Sequence, residues 1–469
     1  MVFSSLTMIY VFLPIVLLLY FLSPNRVKNL ILLVAGLIFY AWGEPVYIWV
    51  MIVSSLVDYL AGLVIHKYND NSKVRKIALI ISMTVDLGFL TIFKYSGFFI
   101  ANINSLLNLN IPVPELSLPI GISFYTFQSM SYTIDLYWRK IKVQKNFLDY
   151  LTYVSLFPQL VAGPIVKYEH VQNEIHERKV NIKLVGEGTN MFIKGLAKKV
   201  LLANNIGALW TEIKAMDFGE ISVVTAWIGI LSFTFQIYYD FSGYSDMAIG
   251  LGKMLGFNFP KNFDHPYISK SVSEFWRRWH ITMGSWFRDY VYIPLGGNRK
   301  GKFRMVINTF IVWALTGFWH GAGWNFILWG LFYGVILMVE KVYLKQFLDK
   351  LPNLIRMLYT FILVVIGWVL FDTSSLTEAG QLLKAMFGFG NDFIDDYAKY
   401  QLSSYIVVFV ACILFSTDIR ERVTRLLIDK KNTAKLYYYS LPILQLATMI
   451  VCTAYLVDAT YNPFLYFRF

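Results

Sequence analysis

The stretch RMVINTFIVWALTGFWHGAGWNFILWGLFYGVILMV, residues 304–339, decides what kind of protein this is. Between Arg304 and Glu340 no Asp, Glu, Lys or Arg interrupts it, and only Gly321-Ala322-Gly323 breaks its apolar character. The break divides it into candidate segments at 304–320 and 323–342, each near the ~20 residues that cross a hydrocarbon core. At the end of the first stands His320, an ionisable side chain at the edge of an otherwise apolar run. Such a group costs several kcal/mol at membrane depth unless it is paired or faces water, so it is a functional candidate by default.

The rest of the chain repeats the pattern. Of 469 residues, 57% are hydrophobic and only 15% charged, with a mean hydropathy of +0.52. Too few polar side chains exist to coat a water-soluble globule. These figures exclude a disordered chain, a coiled coil and a disulfide-stapled secreted domain. Further candidate spans run over 6–22, 29–43, 47–65, 77–100, 119–138, 190–212, 221–240, 355–371, 403–417 and 439–457. The expected fold is therefore all-α: a polytopic membrane protein of about eleven or twelve transmembrane helices, read as one domain over 1–469. Residues 148–166 are apolar but broken by Phe157-Pro158-Gln159 and Gly163-Pro164, which predicts a re-entrant segment buried in protein. Cys412 and Cys452 lie in apolar runs and read as inert thiols. Met1 to Tyr10 carry no Lys or Arg, so this end reads as the first retained span rather than a cleavable leader.

Loop charge predicts orientation. Basic loops (Arg26 and Lys28; Lys67, Lys73, Arg75 and Lys76; Arg139, Lys140, Lys142 and Lys145) alternate with neutral or acidic ones. By the excess of Lys and Arg in cytoplasmic loops, the basic side faces the cytosol and both termini face outward. The net charge of +12 thus belongs to membrane topology, and nucleic acid is not an expected partner. Residues 253–304 concentrate it, with ten basic residues against three acidic ones among many aromatic side chains. That mixture suits helices lying at the interface, drawn to anionic lipid or gathering an anionic cytosolic substrate by its phosphates.

Candidate chemistry falls on two of six histidines. His280 closes Glu274-Phe275-Trp276-Arg277-Arg278-Trp279-His280, and His320 closes Thr316-Gly317-Phe318-Trp319-His320. Imidazole suits proton transfer near neutrality, and Gly317, Gly321 and Gly323 let another backbone or a ligand come close. No carboxylate or thiol stands at ligand spacing beside either histidine, so no metal is expected. His66, His170 and His176 sit in polar loops and read as solvated, while His265 reads as a turn residue. Asp240 and Asp246, in Tyr238-Tyr239-Asp240-Phe241-Ser242-Gly243-Tyr244-Ser245-Asp246, are expected to pair with Arg277, Arg278 or Arg288.

Phe275-Trp276-Arg277-Arg278-Trp279-His280-Ile281, the run Phe287-Arg288-Asp289-Tyr290 to Gly297, and Leu315-Thr316-Gly317-Phe318-Trp319-His320-Gly321 together resemble the membrane-bound O-acyltransferase (MBOAT) superfamily. Within it they are most similar to the bacterial O-acetylases of alginate and peptidoglycan. The 238–246 stretch, Pro119-Ile120-Gly121-Ile122-Ser123-Phe124-Tyr125 and Phe157-Pro158-Gln159-Leu160-Val161-Ala162-Gly163-Pro164 fit as well. The resemblance implies helices around a central tunnel, with His320 catalytic and His280 in the partner position. It implies acetyl-CoA as cytosolic donor with no permanently bound cofactor. It further implies an extracytoplasmic polysaccharide acceptor, reached through a partner of the SGNH-hydrolase type, in a bacterial plasma membrane. Arg277, Arg278 or Arg288 would meet the CoA phosphates. The tail over 458–469, ending Pro463-Phe464-Leu465-Tyr466-Phe467-Arg468-Phe469, reads either as an aromatic anchor at the outer interface or, by likeness to a motif in D-alanylation relatives, as a segment folded back with Tyr466 as acyl relay. D-alanyl transfer to teichoic acid and non-enzymatic transport of a lipid-linked sugar are the competing readings; transport predicts inverted repeats, and the sequence has none.

Overall fold

A computed structural model describes residues 1–114, 116–390, 392–458 and 465. It is 76% helical, with no strand among the described residues. Among the described residues, six helices are long and apolar enough to cross a membrane: Ile48–Lys67, Ser72–Leu107, Trp324–Leu348, Asn353–Asp372, Asp396–Phe415 and Asn432–Asp458. The other expected spans are helical too, and three of them fall short for a visible reason. Met8–Leu22 is short. Ile122–Tyr137 has 16 residues and carries Gln128, Ser129, Ser131, Thr133 and Asp135, all buried. Val223–Met254 is 32 residues long but holds Gln236, Asp240 and Asp246. Polar groups inside protein lower hydropathy without lowering burial, so length and composition undercount helices shielded from lipid.

Backbone contacts divide the chain into two compact units. Among the described residues, the first comprises 1–114, 116–192 and 245–261. Here Gly36 lies against the Ser155 backbone and Gly62 against the Tyr132 ring, approaches that any Cβ would block. The predicted re-entrant segment is a short helix, Phe147–Ser155, followed by irregular chain to Lys167. Every residue from 150 to 168 is buried, the condition under which non-helical backbone is tolerated in a membrane protein. The Tyr153 hydroxyl donates to the Val166 carbonyl at 2.9 Å and the Gln159 amide to the Tyr153 carbonyl at 2.5 Å, which ties the irregular chain to its own helix.

Among the described residues, the second unit comprises 193–244, 262–390, 392–458 and 465 and contains both candidate histidines. Its helices Gly301–His320 and Trp324–Val339 form a tight hairpin. Asn353–Asp372 packs beside it.

Candidate active site

The hairpin is close because glycines face each other across it. A Cβ on Gly317 would collide with the Phe326 carbonyl, and one on Gly330 with the Trp313 carbonyl. Gly321 lies under the Phe326 ring. The close approach expected at Gly317 and Gly321 is therefore made by the neighbouring helix. This packing fixes the end of Gly301–His320, where the helix stops and Gly321 continues in extended conformation.

His320 sits there at 4% exposure. Its ring meets Trp329 edge-on at 5.1 Å and 84°, Phe371 at 5.3 Å and 81°, and Trp319 at 4.9 Å and 74°. Ring edges directed at ring faces are the favoured aromatic geometry, so the imidazole is held in a fixed attitude.

His280 is positioned by a different device. Ser271 caps the helix Val272–Arg278 by accepting from the Glu274 N–H, and the Glu274 carboxylate reaches back to the Lys270 N–H. This reciprocal arrangement is close to a capping box. Glu340, at 3% exposure, accepts from the Val272 and Ser273 N–H groups at 2.7 and 2.9 Å, adding negative charge at the positive end of the helix. Burial raises the Glu274 carboxyl, but hydrogen bonds from the Lys270 N–H and from Arg278 outweigh it and leave the group below its ordinary range. The helix ends in Trp279, and His280 follows with φ 45° and ψ 53°. That left-handed conformation costs a β-carbon residue roughly 1 kcal/mol and persists where surrounding bonds over-determine it.

Asn262 is what determines it. Its Oδ1 accepts from the Thr282 N–H at 3.2 Å and the Thr282 hydroxyl at 2.9 Å, and lies 3.1 Å from His280 Nδ1. Because a backbone N–H identifies the Asn262 atom as the acceptor, His280 Nδ1 carries the proton and Nε2 keeps its lone pair. Burial lowers the pKa of the His280 imidazole to about 3, so the ring is neutral near pH 7.

The two histidines approach through one indole. Trp319 has its centroid 6.1 Å from the His280 ring and 4.9 Å from the His320 ring. A cavity of about 500 Å³ opens beside them, bounded by Trp276, Trp279, Met283, Trp313 and Thr316. Its lining includes Trp279 and Ile281, either side of His280, and Thr316, four residues before His320, but neither histidine itself. Trp276 on its wall packs edge-on against Trp329 at 5.5 Å, and Trp329 packs against His320, so two indoles in series lie between cavity and ring. Arg277 lines this cavity and also a second one of about 400 Å³ that contains Lys341 and Lys345. Arg288 lines the first cavity too, 3.1 Å from Asp289. Arg278 is turned to Glu274 at 2.7 Å and to the Asp264 carbonyl at 3.1 Å.

The expected pairing of Asp240 with these arginines is not what forms. Asp240 instead binds Lys199 at 2.6 Å, both side chains almost fully buried. Lys199 lies in a π-helical turn, Lys198–Ala203, and Gly243 lets the two helices touch there. The other Asp240 oxygen accepts from the Leu465 N–H at 2.9 Å, and Leu465 is itself buried. Tyr466, the expected relay, lies outside the described residues. His66, His170 and His176 are exposed as expected, but they stand on the helices Ile48–Lys67 and Tyr168–His176 rather than in loops, and both cysteines are buried. Asn262, Trp329 and Glu340 escaped the sequence reading, which named Trp319 only as the motif neighbour of His320. Only Glu340 left a signal there, as a lone acid ending an apolar run.

Fold and site together define a multi-pass, all-helical membrane protein with two buried imidazoles beside a basic, aromatic-walled cavity. The model of the membrane-bound O-acyltransferase family matches residues 138–371. The chain is 39% identical over 408 residues to the probable alginate O-acetylase AlgI of Azotobacter vinelandii, covering 86% of this chain and 81% of the relative. It is 35% identical to the peptidoglycan O-acetyltransferase of Helicobacter pylori, covering 83% and 80%. A more distant relative is the teichoic acid D-alanyltransferase of Streptococcus thermophilus, 27% identical over 48% of this chain and 58% of the relative. The chain belongs to the membrane-bound O-acyltransferase family.

Proposed function

We propose that this acyltransferase moves an acetyl group from cytosolic acetyl-CoA to an extracytoplasmic polysaccharide, a surface or cell-wall glycan, with an SGNH-type partner completing the transfer outside. The reading places it in a bacterial plasma membrane with both termini outward. Supporting it most is the meeting of His320 and His280 at one tryptophan beside the cavity that Arg277 enters. His320 acts as general base: it takes the acceptor hydroxyl proton as the oxygen bonds to the acetyl carbon, and the C–S bond breaks. The proton then passes to the departing CoA sulfur, so the ring returns neutral. His280 orients the reacting groups; its Nδ1–H is committed to Asn262, and a bare Nε2 cannot donate to a carbonyl. Arg277 is the arginine best placed for the CoA phosphates, since Arg278 is held by Glu274. Burial of Leu465 against Asp240 favours the folded-back reading of the tail, with Tyr466 as first acceptor.

The test supplies labelled acetyl-CoA or a D-alanyl carrier to purified protein. Label from acetyl-CoA alone is expected, falling at least ~100-fold in His320→Ala, and label bound to protein should vanish in Tyr466→Phe. Near-normal transfer by His320→Ala refutes the base assignment, and transfer of D-alanine refutes the acetyl reading.

A further inference from the structure

The wall between the 500 Å³ cavity and His320 is a block of aromatic rings, and glycines make room for it. Trp276 packs against Trp313 at 4.7 Å and 64°, against Tyr333 at 4.8 Å and 84°, and against Trp329 at 5.5 Å and 84°. Trp329 in turn meets Phe371 at 5.1 Å, Tyr333 at 5.3 Å and Trp368 at 6.3 Å. A Cβ on Gly330 would strike the Trp313 carbonyl, and one on Gly367 the Tyr333 hydroxyl, so rings of this size fit only against bare backbone. Trp329, Tyr333 and Trp368 are fully buried. Interlocked rings at the density of a protein interior leave no gap for a chain to slip through, and a group entering the block has to push a ring aside. Trp276 and Trp313 both line the cavity, and Trp276 is the nearer to Trp329, at 5.5 Å against 6.3 Å.

On the acyl-transfer reading, a thioester carbonyl brought from this cavity to His320 passes Trp276, and whatever lies beyond the carbonyl carbon lodges against Trp276 and Trp329. We propose that Trp276 sets the length of the acyl group, a role that rests on that reading: the wall admits the single methyl of an acetyl group and resists each further methylene. The indole acts by its volume, and neither histidine is altered by it. One surplus methylene against a closed apolar surface changes kcat/KM by about tenfold or more, which is enough to separate acetyl from butyryl donors.

Competition between acetyl-, propionyl- and butyryl-CoA on the purified full chain tests this, with each acyl group carrying a different isotope so that relative kcat/KM is read from one sample. Wild-type protein is expected to lose about tenfold per added methylene. Trp276→Ala should raise the butyryl-to-acetyl ratio at least ~10-fold, and Trp276→Phe should raise it by less. A ratio taken within one sample does not depend on how much of a variant has folded, and Trp276→Phe keeps a ring in the block should the alanine variant fail to accumulate. Equal use of butyryl and acetyl donors by the wild type, or a ratio unmoved in both variants, overturns the proposal. Failure of acetyl-CoA as donor is a separate result: it counts against the donor under the proposed function, and the same acyl series borne on a carrier protein then reads the wall. No transfer from either donor would remove the acyl-transfer reading and the role of Trp276 with it.

Discussion

Replacing His280 by Asn removes one buried titratable group while keeping an N–H that can donate to Asn262 Oδ1. In the folded protein the imidazole titrates at about 3, because burial disfavours its charged form. In the unfolded chain it titrates near 6.5. Between those values the unfolded state binds a proton that the folded state refuses, so acid pulls the equilibrium toward unfolding. Stability from this group is complete above pH ~6.5 and is lost as pH falls toward ~3. The slope is ~1.4 kcal/mol per pH unit, so from pH ~7.5 to ~5 the wild type loses ~2 kcal/mol that His280→Asn does not. Denaturant unfolding of the purified protein at several pH values, followed by tryptophan fluorescence, measures the difference. The remaining histidines and carboxylates are common to both chains and cancel. Parallel pH dependences would refute the neutral, buried imidazole, and with it the tautomer assigned through Asn262.

Arg277→Ala should raise the KM for acetyl-CoA about tenfold, equivalent to ~1.4 kcal/mol, while Arg278→Ala leaves it near wild type; steady-state kinetics with both variants decide which arginine meets the donor. Gly317→Ala should destabilise the hairpin by roughly 1–3 kcal/mol, because its Cβ meets backbone rather than a movable side chain; a lowered unfolding midpoint checks it. Lys199→Met should cost ~3–5 kcal/mol by leaving Asp240 buried without its cation, and adding Asp240→Asn should recover part of that loss in the same unfolding assay.

Apolar length carries the membrane reading because it needs no tertiary information, and the helices over 48–67 and 353–372 coincide closely with the runs 47–65 and 355–371. His320 was legible for the same reason, as an ionisable group where apolarity ends. Glu340 met the same criterion and could have been found by it. Asn262 could not: it lies in Pro260-Lys261-Asn262-Phe263-Asp264, a polar turn like many others, and its role arises from an approach to residues 18 and 20 positions away. The partner of Asp240 was misjudged because nearby arginines are the obvious candidates in sequence. Helix packing at Gly243 brought Lys199 instead, and composition does not encode which helix faces which.

The same distinction explains why two histidines so alike in sequence fit different tasks. Each follows a tryptophan in a conspicuous motif, and each is buried. His280 is fixed by hydrogen bonding to Asn262, which commits one nitrogen and assigns the tautomer. His320 is packed among three aromatic rings, contacts that fix the attitude of its plane. A general base must take up a proton and surrender it within one catalytic cycle, so an imidazole whose plane is already set by its packing meets that task pre-oriented. With both rings against Trp319, its replacement by Leu should impair transfer without altering either motif histidine. If Trp319→Leu retained full acetylation, the indole would be packing alone and the two imidazoles would not work as a unit.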